Sequence, residues 1–489
     1  METLPPPCQC ALPHCQHLAA EARSRVLCFV HEAALGDLND NRNFFIPRGR
    51  LISDMNEQVV HELMQMLLDP ALHDQGHIRT LSRVIAPGYD QTCRCRHDAC
   101  TGLRILFVAL VMQGKPSLIV PFSNAPEICD TTWPKAPPHA KWLTLRGRER
   151  ELFAQIQWPM RSPMFKRLGT SRVQHETIPD EMSLPWTDLE RRDNPLAGNL
   201  SLICKIRIEQ SHQFLEPEDG WFALKVLEKR LRITVAQNRF ENEVAANLRV
   251  SHPHIAPLLS AFQHRADMAL VFPWASGGNL KELWGRLDPT SDMLAWMENQ
   301  CFQLADALAT IHGYTSHNSG AYLRPQLHQD IKAENVLCFD TAVDHAPLYK
   351  LKITDFGQAI PFDTTSGLEF DVSQPKTYRP PEGDEDLFFC PGLTWDVWSL
   401  GCLYLDFITW AIVGRGGIEK FRNRRRQTNQ QSKQLSRVTI REDVYFQKKT
   451  AMSLWGVLPW GSPRLVARVK DSVTSVSFHQ HIVGPARCM

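Results

Sequence analysis

The amino-acid sequence predicts an α+β chain with two lobes, a small β-rich one followed by a larger helical one, preceded by a mainly helical accessory region. Three observations lead there. After Asn194 come the strand-like runs "LSLICKIRIE" and "GWFALKVLEK", rich in branched residues. They give way to the helical "RFENEVAANLRV", and strands before helices suit a two-lobed enzyme with a cleft between. Upstream, "FFIPRGRLISDMNEQVVHELMQMLLDP" carries Val59, Leu63, Met66 and Leu67 at helical spacing with Pro70 as a stop. With 489 residues there is room for two or more domains.

The elements divide in order. Residues 1 to 43 read as a disordered tail holding one helix-compatible stretch, "HLAAEARSRVLCFVHEAAL". Residues 44 to 190 form the accessory region, whose later part, with repeated Pro and Trp, reads as a connector anchored by aromatics. The catalytic domain is expected over 191–445, its β-rich lobe over 191–272 and its helical lobe over 276–445, with an atypical tail over 446–489.

Composition narrows the class. A net charge of +1 supplies no excess cation for nucleic acid or an anionic membrane. "GLRILFVALVM" and "GCLYLDFITWAIVG" fall short of the roughly 20 apolar residues a bilayer needs, so no membrane span is expected. The 14 cysteines sit in apolar contexts such as "NVLCF", which suits free thiols and an intracellular location, cytoplasmic or nuclear. Cys93, Cys95, His97 and Cys100 are chemically fit for zinc, but C-x-C-x-H-x-x-C matches no common pairing and has no second pair. They read as ordinary cysteines.

The chemistry concentrates in short motifs. Phosphoryl transfer asks for a cation on the nucleotide phosphates, oxygen ligands for magnesium and a group to take the hydroxyl proton. "WFALKVL" puts Lys225 on a strand, and "RFENEVAANLRV" puts Glu243 on a helix, with Glu241 facing elsewhere. "HQDIKAENVL" brings Asp330, Lys332 and Asn335 together, and "ITDFGQA" adds Asp355, Phe356 and the flexible Gly357. Each has an ordinary reading as a solvated lysine, a surface glutamate or a chance loop. Their order and spacing together do not.

From Leu196 to at least Leu405 the chain resembles a eukaryotic-type protein kinase, on "ALKVL", the helix glutamate, "HQDIKAEN", "DFG", "YRPPE" and "DVWSLG" in family order. Lys332 after Asp330 resembles the serine/threonine branch. "FPWASGGNLKELW" and the long N-terminal extension look most like protein kinase-like proteins of filamentous fungi. The resemblance implies a two-lobed protein-kinase-like fold using ATP and Mg2+ on a protein substrate. It implies that Lys225 holds the α/β-phosphates, Glu243 orients Lys225, Asp330 is the base, Lys332 neutralises the phosphoryl group, and Asn335 with Asp355 hold magnesium. Gly198, Ile203, Ala223, Phe272, Pro273, Ala275 and Leu337 would bind the nucleotide, with ordinary core packing as the competing reading for the apolar ones. Glu382 would tie down the activation segment and Asp396 would brace the catalytic loop.

Departures from the family pattern carry expectations of their own. "LAGNLSLICKI" keeps Gly198, but Leu196 and Ser201 stand where the family has glycine, which loosens the phosphate grip. Gln329 replaces the arginine that normally meets an activation-segment phosphate, and an amide cannot neutralise a dianion. Activity is therefore expected to be independent of phosphate on Thr364, Thr365, Ser366 or Ser373. Pro375 occupies a common threonine position, the arginines at 422 and 424 to 426 read as a solvated loop, and the tail after 445 reads as foreign to the fold. An ATP-binding pseudokinase scaffold and a small-molecule kinase are the competing functions.

Overall fold

The computed structural model describes residues 13–36, 44–88, 93, 95, 100–125, 128–131, 148–168, 175–192, 201–215, 220–227, 233–291, 293–314, 325–341, 349–362, 377–384, 392–427, 443–451 and 464–478. The chain divides into two units. The first comprises Met1–Leu168, Gln174–Leu227 and Leu259–Val271; the second comprises Gly169–Val173, Glu228–Leu258 and Phe272–Met489.

In the first unit, helices α1 (Pro13–Ala33), α2 (Arg48–Asp54), α3 (Glu57–Leu67), α4 (Gln75–Ile85), α5 (Arg104–Met112), α6 (Ile119–Ser123) and α7 (Arg148–Gln157) form the accessory region, with a small pair of strands, β1 (Leu35–Gly36) and β2 (Phe44–Phe45). α5 is buried from Arg104 to Val111, as its all-round apolar sequence requires. Its one cation is satisfied by three carbonyls: Arg104 donates from Nε to Met55 O, from Nη1 to Thr101 O and from Nη2 to Pro87 O, at 2.8 to 3.0 Å. Asn56 and Asp74 cap α3 and α4 by accepting from Val59 N and His77 N. The buried stripe of α3 is Val60, Leu63, Met64 and Leu67, with Val59 and Met66 on its flanks. The helix-compatible stretch within the expected tail forms α1, whose Ala22 and Val26 are fully buried against the same core, so this part of residues 1–43 is packed.

A six-stranded sheet belongs to this same unit, apart from the last two residues of its final strand. Its strands are β3 (Glu176–Thr177), β4 (Trp186–Arg192), β5 (Ser201–Ile208), β6 (Phe222–Leu227), β7 (Ser260–His264) and β8 (Asp267–Pro273), ordered β3-β7-β8-β6-β5-β4. Two of them start upstream of residue 191, within the stretch expected to be a connector. β4, "WTDLERR", lies at the edge, where charged side chains guard unpaired backbone groups. Antiparallel register opposes Ile203 to Lys225 and Lys205 to Ala223, while Cys204, Ile206, Phe222 and Leu224 turn to the apolar core. Lys225, Ala223 and Ile203 therefore share the other face. The accessory region is tied to the sheet's neighbouring loop by Arg48 N donating to His212 Nε2 at 2.9 Å and Gly49 N to Ser211 Oγ at 2.8 Å.

The second unit carries α8 (Ile233–Leu248), α9 (Leu280–Arg286), α10 (Met293–Ile311), α11 (Thr394–Val413), α12 (Arg415–Gln427) and α13 (Asp471–Phe478). Its short strands are β9 (Gln326–Leu327), β10 (Val336–Asp340), β11 (Tyr349–Ile353), β12 (Ile360–Pro361), β13 (Phe446–Ala451) and β14 (Arg464–Val469), paired as β9 with β12, β10 with β11 and β13 with β14. α11 is long and apolar enough to cross a membrane, yet half of it is buried within the fold. Leu400, Leu403, Phe407 and Trp410 of α11 fill the apolar core of this unit.

Two readings of the sequence change here. The arginine-rich run is not a solvated loop: it forms α12, and Arg425 is fully buried. Arg425 reaches Asp406 at 2.9 Å and Asp443 at 2.8 Å and lies over the rings of Phe421 and Tyr445. The tail is not wholly foreign either, because Val473 joins Cys402, Phe421 and Tyr445 in one apolar cluster and the buried Lys470 Nζ donates to Arg425 O at 2.7 Å.

Candidate active site

The loop between β9 and β10 is anchored by apolar residues that alternate with polar ones. Ile331, Ala333 and Val336 are buried, which fixes the backbone around Asp330, Lys332 and Asn335. Lys332 Nζ donates to Asp330 Oδ2 at 2.6 Å, and Asn335 Nδ2 donates to the same oxygen at 2.8 Å and to Asp330 O at 2.9 Å. Burial pushes the Asp330 carboxyl above the usual carboxylate range, Lys332 pulls it back, and the Asp355 carboxylate adds to the upward push.

Asp396 on α11 braces this loop from inside the unit. It is fully buried, and its oxygens accept from His328 N and Gln329 N, each at 2.8 Å, and from His312 Nε2 at 2.9 Å. Gln329 takes a left-handed backbone at φ 66, and its buried Nε2 has no hydrogen-bond partner among the described residues. His328 links the two motif loops. Its Nδ1 accepts from Asp330 N at 3.3 Å, which leaves Nε2–H to donate to Thr354 O at 3.1 Å, and its ring lies 4.9 Å from that of Phe356.

Asp355 also has a left-handed backbone, at φ 69, and its Oδ1 accepts from Gly357 N at 3.3 Å. Glu243 on α8 is 2% exposed, and a Cβ on Gly357 would stand 3.3 Å from its Oε2 and 3.1 Å from Asp355 Oδ1. Glycine is thus the residue that lets these two acids lie this close to the backbone. Glu241 turns aside and accepts from Gln237 instead.

The donor set suits a hard cation. Asn335 spends its amide nitrogen on Asp330, so its oxygen, with the Asp355 carboxylate, is of the kind magnesium takes. The remaining expected nucleotide-binding residues are distributed as follows. Ile203, Ala223 and the 9% exposed Lys225 lie in the sheet of the first unit. Phe272, Pro273, Ala275 and Leu337 belong to the second, where Ala275 O accepts from Gly278 N at 3.0 Å and Leu337 bridges Asn279. Gly198, Leu196, Thr364, Thr365, Ser366, Ser373 and Pro375 lie outside the described residues. Glu382 is exposed and makes no ion pair among the described residues. Sequence reasoning assigned no part to His312 or Trp395. His312 accompanies Asp396, and Trp395 Nε1 donates to Gln329 O at 3.3 Å.

A carboxylate held by an ammonium and an amide, beside oxygen donors for a hard cation, is an arrangement chemically suited to phosphoryl transfer, where positioning and charge neutralisation do most of the work. The comparison with known proteins is narrower. The model of the protein kinase domain matches residues 213–462, and the chain belongs to the protein kinase family. It is similar to a serine/threonine-protein kinase of Drosophila melanogaster, with 28% identity over 42% of this chain and 24% of the relative. A probable serine/threonine-protein kinase of Dictyostelium discoideum is 25% identical over 35% of this chain and 30% of its own length. Myosin light chain kinase 3 of Danio rerio is 24% identical over 40% of this chain and 25% of its own. The chain thus spans only about a quarter of the length of the first of these relatives.

Proposed function

We propose that this protein transfers the γ-phosphoryl group of ATP to serine or threonine hydroxyls of protein substrates. The observation that carries the reading is the Asp330 carboxylate, gripped by Lys332 and Asn335 on a loop that Asp396 holds rigid. In this reading Asp330 orients the acceptor hydroxyl and takes its proton, and its raised affinity for protons favours that role. Lys332 swings its charge to the transferring group. Asn335 and Asp355 would hold magnesium, which neutralises charge on the phosphates when bound, and Lys225 supplies a further cation for them. An intracellular setting, which keeps thiols reduced, is part of the proposal.

The test is a radiolabel transfer assay on a peptide library containing serine, threonine and tyrosine acceptors, alongside a thermal-shift titration with Mg-ATP. Label on serine or threonine is the expected result. Stabilisation by Mg-ATP with no transfer would overturn it in favour of an ATP-binding scaffold, and transfer to small hydroxyl compounds alone would overturn the protein substrate.

Gln329 carries an expectation about control. Its side chain is a buried amide with an unpartnered nitrogen, where a phosphate-reading site would need a cation. Phosphatase treatment of the purified protein is therefore expected to leave turnover unchanged. A collapse of activity would show that some other cation reads a phosphate.

A further inference from the structure

We propose that Cys93, Cys95, Cys100 and Cys129 form a structural zinc site in the accessory region. Their four sulfur atoms all lie within 4.8 Å of one another. Thiolates bound tetrahedrally sit about 2.3 Å from zinc, and therefore roughly 3.8 Å from one another, so a small contraction closes the shell. The spacing that argued against zinc lacked a second pair of ligands. The fold supplies the missing thiol from a different segment, on the far side of α5 in sequence, which no local pattern could reveal. His97 lies outside the described residues.

The positions of two ligands are fixed without any metal. Asp130 N donates to Gly102 O at 2.8 Å, and Leu103 N to Ile85 O at 2.9 Å, which joins the Cys129 segment and the Cys100 segment to the end of α4. The fully buried Asp130 carboxylate accepts from Thr101 Oγ1 at 2.6 Å, Ile105 N at 3.0 Å and Leu106 N at 3.2 Å, at the start of α5. Gly102 has φ +80, and a Cβ there would stand 2.5 Å from Pro87, so this close crossing admits glycine alone without rearrangement.

Charge around the cluster provides a separate indication. Four thiolates on a dication leave a net charge of −2, and at a site where Cys129 is buried and the other three cysteines are half-buried a nearby cation favours it. Arg161 supplies a cation. It donates to Asp130 O at 2.7 Å and to Gln157 Oε1 at 3.1 Å, and its buried Nε has no hydrogen-bond partner among the described residues. Zinc takes each cysteine as its thiolate. All four positions are filled by protein, which leaves no open coordination site, so the ion would act on stability of the accessory region rather than on chemistry.

The experiment is elemental analysis of the full chain, purified under reducing conditions without a metal-affinity column. About one equivalent of zinc per chain is expected. The double variant Cys100→Ser/Cys129→Ser loses it, whereas Cys301→Ser, a thiol elsewhere in the fold, retains it. If the double variant misfolds, the native chain provides the second measurement. Removing zinc with a chelator should lower the melting temperature, and adding Zn2+ back should restore it. Cobalt put in its place should give the intense visible bands of a tetrahedral thiolate site. Three results would overturn the proposal: fully reduced protein that neither contains nor takes up zinc, iron at the site in place of zinc, or disulfides among these four cysteines in freshly purified protein.

Discussion

Replacing Asp330 with alanine or asparagine is expected to lower phosphoryl transfer by about 10² to 10⁴-fold, the range a positioned proton acceptor contributes. Mg-ATP binding should stay close to that of the native chain, because Asn335 and Asp355, the expected magnesium ligands, and Lys225 are untouched. The two variants separate two roles of one carboxylate. Asparagine keeps the shape and an oxygen for Asn335 Nδ2, but it cannot take a proton and leaves Lys332 without its 2.6 Å ionic partner. Alanine removes the acceptor altogether. If both fall together in turnover while the nucleotide-induced thermal shift persists, the proton-accepting role stands. Single-turnover rates within about tenfold of native for either variant would contradict that role, since such a loss lies below the range for general base catalysis.

Arg425→Met is expected to destabilise the second unit by about 3–5 kcal/mol, the usual consequence of stripping one partner from a buried ionic network. The side chain is fully buried between two acids, and Tyr445 and Tyr378 donate to the same Asp406 at 2.6 and 2.7 Å. Methionine fills much of the volume but takes the cation from Asp406 and leaves Asp443 only the longer 3.5 Å pair with Arg422. At roughly 2–4 °C per kcal/mol for a unit of this size, calorimetry should show a fall of the order of 10 °C in its transition. The exposed Lys420→Ala on the same helix is the control, expected within about 0.5 kcal/mol of native. A shift for Arg425→Met no larger than that of the control would mean that the network adds nothing to stability.

The same network shows where a reading of the sequence stops. "HQDIKAEN" and "ITDFG" are short motifs, and their chemistry is carried by residues within a few positions of one another, so order and spacing alone identify them. The partners of Arg425 are dispersed. Asp406 is on α11, Asp443 follows α12, and Lys470 arrives from the tail after a hairpin. Without these contacts, "RNRRRQ" has the composition of a solvated face.

The strand alternation around Lys225, the helical stripe of α3 and the family motifs from Lys225 to Asp396 were determined by the sequence, because local periodicity and motif spacing are properties of neighbouring residues. Tertiary structure decided the rest. It packed the helix-compatible stretch of the expected tail as α1 by giving Ala22 and Val26 a core to bury against, and made the charged "WTDLERR" an edge strand by giving its backbone a partner in β5. It also brought Cys129 beside three cysteines of another segment. Each of these depends on a contact between residues distant in sequence, formed only when the hydrophobic cores and the backbone hydrogen bonds assemble around them.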